Sequence, residues 1–196
     1  MSADRKGDIY RQVAQLHLDG LNSGFLAKLG PGVLALMYEA IDRASGSVLL
    51  VECDGERVVG FVSGGLGMRP VYRQMLRRPF ALALSLLPSL LHPSRIVQVL
   101  EVLRYGRKAG TNTALPAAEL LSIVVAPESR GRGVAERLYR RLLVHFGAEG
   151  IAAFRITVGG KLSRAHAFYK KMGAKPVAEI EVHAGERSVV YAHETA

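Results

Sequence analysis

"VAPESRGRGVAERLYRRL", residues 125–142, runs from an apolar, strand-like stretch through a loop of alternating arginine and glycine into a helix. Backbone amides at a helix start have no partner inside the helix, and the helix dipole adds partial positive charge there. Gly131 and Gly133 let those amides approach a ligand with no side chain in the way. Arg130 and Arg132 add charge that pairs with phosphate oxygens. The natural guest is an anion, a phosphate or diphosphate foremost. Two nucleotide signatures do not fit. A dinucleotide fingerprint wants a third glycine where this chain has Glu136, whose charge would face a diphosphate unfavourably. The phosphate loop of nucleoside triphosphatases needs a lysine and then Ser or Thr after the second glycine, and none follows Gly133.

Working outward, "ELLSIVVAP" before the loop is a strand, apolar enough to be buried on both faces. After the loop, Ala135, Leu138, Leu142 and Phe146 form one helical stripe. "IAAFRITV" is the next strand, "LSRAHAFYKKMG" the next helix, and "KPVAEIEVHAGERSVVYAHE" a closing hairpin. Upstream, Ile9, Val13, Leu16 and Leu21 recur with helical spacing, and a second helix starts near Pro31, a residue suited to a first helical turn. "SVLLVECDGERVVGFVSGG" reads as two strands joined at Asp54-Gly55. Between that hairpin and "ELLSIVVAP", prolines 79, 88 and 93 break the chain into two or three short helices. The order predicts one α/β (α+β) domain over residues 1–196, a mixed sheet flanked by helices.

At this point the chain resembles the GCN5-related N-acetyltransferase (GNAT) family. Arg130-x-x-Gly133-x-Ala135 opening a helix after a proline-containing turn is similar to that family's acetyl-coenzyme A diphosphate motif. The later block "SRAHAFYKKMGAKPV" supports it through Ala165, Tyr169 and Gly173 at four-residue intervals. The chain departs from the family's pattern in two places. Leu162 stands where members often carry an asparagine, so one pantetheine hydrogen bond is lost or passes to Ser163. Residues 68–112 form a helical insertion between the family's third and fourth strands that is much longer than usual, so acceptor recognition is not carried over.

The resemblance implies direct transfer of acetyl from the thioester of acetyl-CoA to a primary amine, with no metal, on an amino sugar or other small molecule. The alternatives are a peptide or protein amine, or a membrane-peripheral module that binds coenzyme A without turnover. It implies that Ile123, Val124 and Val125 meet the pantetheine through their backbone, and that Arg130, Gly131, Arg132, Gly133, Val134 and Ala135 hold the diphosphate. A lysine-like amine is neutral in roughly one molecule in 2500 at pH 7, a handicap near 4.6 kcal/mol, so a base is needed. Glu119, at the start of the strand that flanks the thioester, is the candidate base. Tyr169 is the candidate acid, since a phenol can protonate the departing thiolate at neutral pH.

Composition bounds these readings. Hydrophobic residues make up 49% of the chain, as expected of a folded domain and not of a disordered one. A single cysteine, Cys53, forbids an internal disulfide and a cysteine-rich zinc site. The charged opening "MSADRKGD" lacks a signal peptide's apolar core, so the expected location is cytoplasmic, with a contact at the inner face of the membrane. The six histidines show no metal-ligand spacing and are expected to be surface or packing residues, with His17 alternatively lining the acceptor pocket.

Of the net charge of +9, +7 lies between Met68 and Gly110, where eight cations face the single acid Glu101. That segment also holds the apolar run "FALALSLLPSLL", too short to span a bilayer. Arg69, Arg73 and Arg77 at four-residue intervals suit an anionic membrane or a phosphate-bearing acceptor. The alternative is a flap whose leucines pack on the core or on a second subunit of a homodimer. Nucleic acid fits poorly, for aromatics are 7% of the chain and tryptophan is absent. Arg137, Arg140 and Arg141 are expected on a solvated helix face, with Glu136 and Arg140 spaced to pair.

Overall fold

A computed structural model describes residues 3–21, 30–90, 115–183 and 186–195. The hairpin is formed by β1 (Ser47–Asp54) and β2 (Arg57–Gly65). Asp54 pairs with Arg57, so the two-residue turn is Gly55-Glu56, and Gly55 takes the positive φ of 61° at its first position. Six strands lie in the order β1-β2-β3-β4-β6-β5, with β3 (Ala118–Val125), β4 (Ala153–Gly159), β5 (Lys175–His183) and β6 (Glu186–Glu194). All neighbours are antiparallel except β3 and β4, which are parallel. Pairing β6 between β4 and β5 lets the closing hairpin finish the sheet without another crossover.

Each face of the sheet buries its own core. On one face, α1 (Ala3–Gly20) and α2 (Pro31–Arg43) pack with α3 (Arg69–Leu76) and α4 (Pro79–Leu90), joining Val13, Leu34, Tyr38 and Ile41 to Phe61 and Val124. On the other, α5 (Val134–Ala148) and α6 (Ser163–Lys171) join Leu138, Leu142 and Phe146 to Val62, Phe154, Ile156 and Tyr191. The stripe read from the sequence is thus the buried face of α5, with Ala135 at its half-buried end. Gly60 and Gly64 of β2 admit α5 to the sheet: a Cβ on either would stand 2.8 Å from Val134 or Phe146.

The insertion falls between β2 and β3, because no strand precedes α1 among the described residues. Two of its expected helices are α3 and α4; Pro93 and residues 91–114 lie outside the described residues. Pro88 does not end a helix as the sequence suggested, but sits in the last turns of α4. The carbonyl it frees belongs to Leu84, a residue on the solvent side, where a freed carbonyl costs least.

The expectation that β3 is buried on both faces holds only in part. Ala118 and Leu120 are buried on one face and Val124 on the other, whereas Glu119, Leu121, Ser122, Ile123 and Val125 are half-exposed. Ser63 pairs with Ser122 and the adjacent Gly64 with Leu120, so Leu121 is an extra residue. This bulge turns the strand, and the side chains after it change face.

Candidate active site

The turn of β3 opens the site. Parallel pairing between β3 and β4 covers only Ala118 with Phe154, Glu119 with Arg155 and Leu120 with Ile156. Beyond Leu120 the strands diverge, and a cleft of about 750 Å³ fills the gap. It is lined by Leu120–Val125 of β3, Ile156–Val158 of β4, the start of α6, Arg130 and Ala135, and by Gly20 and Leu21 at the end of α1. Strand backbone bordering such a gap keeps hydrogen-bonding groups that no neighbouring strand satisfies.

The glycine loop sits at the mouth. Gly131 and Gly133 have φ of 74° and 72°, conformations that a side chain disfavours. The first helical bond of α5 runs from the Arg137 amide to the Gly133 carbonyl at 3.0 Å, and no side chain caps the helix. The amides of Val134 and Ala135 therefore lack helical acceptors. Of the residues expected here, Arg130 and Ala135 line the cleft directly. Gly131, Arg132 and Gly133 form the turn between them, and the Val134 side chain is buried beneath. Ile123, Val124, Val125 and Ser163 also line the cleft.

A second helix start, predicted as a helix but not as a source of open amides, faces the same space. The N-cap of α6 is Leu162, which caps nothing; its carbonyl accepts the His166 amide at 3.1 Å, so the Arg164 and Ala165 amides ahead of it have no helical acceptor. Arg164 and Lys161 also line the cleft. The signal was present in "GGKLSR", where an apolar residue holds a capping position and cations stand on either side.

Tyr169 lines the cleft from α6, only 6% exposed. Its ring rests against Tyr139 and Tyr191, and its hydroxyl has no hydrogen-bond partner among the described residues, yet is not sealed off. Burial pushes its phenol up, which keeps the proton in place at neutral pH. Glu119 lies lower, paired with Arg155 one residue before β3 and β4 part. Arg155 donates to its Oε2 at 3.0 and 3.3 Å, and the Thr157 hydroxyl donates to Oε1 at 3.3 Å. Thr157 lines the cleft and Glu119 does not, so the carboxylate is the root of the site rather than its wall.

His17 belongs to the core. It is 2% exposed, and its Nδ1 lies 2.6 Å from the Tyr38 hydroxyl. Burial lowers its pKa to about 4 from 6.5, so the unfolded chain takes up a proton that the fold excludes. Stability is then fully present above about pH 6.5 and falls as pH drops toward about 4, by about 3 kcal/mol in all. Urea midpoints across that window should show the decline, and His17→Gln should flatten it.

Arg137, Arg140 and Arg141 lie on an exposed helix face, as expected, and Arg137 and Arg141 also reach Glu52 of β1, at 2.9 and 3.4 Å, because α5 lies across that strand. One charge expectation is corrected. Glu136 pairs with Lys171 of α6 at 3.2 Å instead of pairing with Arg140. Among the described residues no group of three or more His, Cys, Asp or Glu is placed to hold a metal ion.

The sequence model of the acetyltransferase (GNAT) family matches residues 21–174, which include the forked strands, the glycine loop and Tyr169. The chain belongs to this family. Solved structures with the GNAT fold align along nearly its whole length. SsHAT is 20% identical with a TM-score of 0.60, covering 100% of this chain and 96% of its own. An aminoglycoside 6'-N-acetyltransferase complexed with coenzyme A is 13% identical with a TM-score of 0.58, covering 95% and 91%. The protein smu.2055 from Streptococcus mutans is 14% identical with a TM-score of 0.56, covering 97% and 96%. At these identities the likeness is one of fold. No curated protein matches the sequence.

Proposed function

We propose that this GNAT protein transfers acetyl from acetyl-coenzyme A to a primary amine of a small molecule. The observation that carries the reading is the fork between β3 and β4, with the starts of α5 and α6 opening on it. When bound, the cosubstrate supplies an acyl group activated as a thioester. The amides from Gly131 to Ala135, with Arg130, hold its diphosphate. The unpaired edge of Ile123–Val125 orients the pantetheine arm and polarises the carbonyl. Glu119, through Thr157 or a water, takes the amine proton, and Tyr169 gives its phenol proton to the departing sulfur. The acceptor is not a polycation, because a chain of net charge +9 repels a multiply charged amine at long range.

The loop is tested by Gly133→Val. A β-branched residue disfavours φ of 72°, and its Cβ would meet Nη1 of Arg137 at 3.3 Å. Strain of about 1–3 kcal/mol pushes the loop off its geometry and weakens acetyl-CoA binding by about 10- to 100-fold in titration calorimetry. An unchanged affinity would remove the diphosphate from this loop. Thiol release from acetyl-CoA, followed across panels of amines, amino sugar phosphates and peptides, identifies the acceptor; turnover confined to peptides would overturn the small-molecule reading.

A further inference from the structure

We propose that the outer face of α3 and α4 docks on an anionic lipid surface. Leu76, Phe80 and Leu84 recur at four-residue intervals across the junction of the two helices, exposed by 60, 88 and 68%. This is not a core face left incomplete. The inward sides of the same helices are already used, with Val71 and Met75 buried and Ala81 and Leu82 packed against the α1–α2 core. The ridge is a second apolar face, and large exposed apolar side chains in a row mark a contact surface.

Charge selects the occupant. From Arg57 to Leu100 the sequence has no acidic residue. Arg78 is held by Glu39 at 2.5 Å, but Arg69 and Arg73 have no acidic partner among the described residues, and Arg77 reaches only Gln74. A second copy laid on this face would bring its own Arg69, Arg73 and Arg77 against these, with no acid between them. Residues 91–114 of the chain carry Arg95, Arg104, Arg107 and Lys108 against Glu101, so they too are a poor electrostatic match. A bilayer with anionic headgroups satisfies both properties: the apolar ridge enters the headgroup boundary while the arginines reach lipid phosphates. No described helix is long and apolar enough to cross a membrane, so the contact is one of lying on the surface.

The test is flotation of the full chain with vesicles of phosphatidylcholine alone and with added phosphatidylglycerol. Binding is expected only with the anionic vesicles, weakening as salt rises. Replacing Arg69, Arg73 and Arg77 with Gln should lower partitioning about fivefold per arginine, about 100-fold together. Phe80→Ser with Leu84→Ser should abolish flotation while circular dichroism and acetyl-CoA binding stay unchanged. No flotation with either vesicle overturns the proposal. So does a dimer seen by light scattering and dissolved by those serines, or binding that the arginine replacements leave intact.

Discussion

Tyr169→Phe should lower kcat by about 10²- to 10⁴-fold, the range that a positioned acid or base contributes, with acetyl-CoA affinity nearly unchanged. The ring is buried among Tyr139 and Tyr191, and phenylalanine fills the same volume, so packing survives the exchange. The lost hydroxyl leaves no donor unsatisfied, because it has no hydrogen-bond partner among the described residues. Stopped-time assays of thiol release and calorimetry on the same preparation separate turnover from binding. A variant with full turnover would mean that water protonates the leaving sulfur. Since burial holds the phenol above its ordinary value, Tyr169 should place no limb on the pH–rate profile near neutrality.

Glu119→Gln is the second large effect, about 10²-fold or more at neutral pH. The amide oxygen can still accept from Thr157, but the charge opposite Arg155 is gone. A structural role and a proton-accepting role predict different pH behaviour. If the carboxylate takes the amine proton, its loss matters less as pH approaches the amine's own pKa near 10.4, because a growing share of the acceptor arrives neutral. The variant should therefore gain on the parent as pH rises. A deficit independent of pH would assign Glu119 to holding Arg155 and β4 in place. Turnover unchanged at pH 7 would remove it from the reaction.

Much of this was legible in local sequence, because helix caps, periodicity and turn residues are short-range properties. The glycines at 131 and 133 announced an open loop before a helix, and the spacing of Leu138, Leu142 and Phe146 fixed which side of α5 is buried. What escaped was set by partners far along the chain. Nothing around Leu121 marks it as a bulge, because the extra residue exists only relative to β2. The partner of Glu119 escaped because its ion pair with Arg155 depends on parallel pairing 36 residues away. The ion pairs of Arg137 and Arg141 escaped because Glu52, their shared partner, precedes them by more than 80 residues. The open amides at the start of α6 went unread for a different reason: the missing cap at Leu162 is a blank where a serine or aspartate would have drawn notice.

The three residue pairs that join β3 to β4 have a mechanical corollary. They divide the sheet into two three-stranded leaves sharing a short spine, and α5 is the brace laid across it, meeting Gly60 on one leaf and Phe154 on the other. A guest lodged between the leaves becomes a wedge that sets their angle. Heat resistance and amide protection along both inner edges should then climb together with occupancy, as for a book whose pages are held apart by a marker.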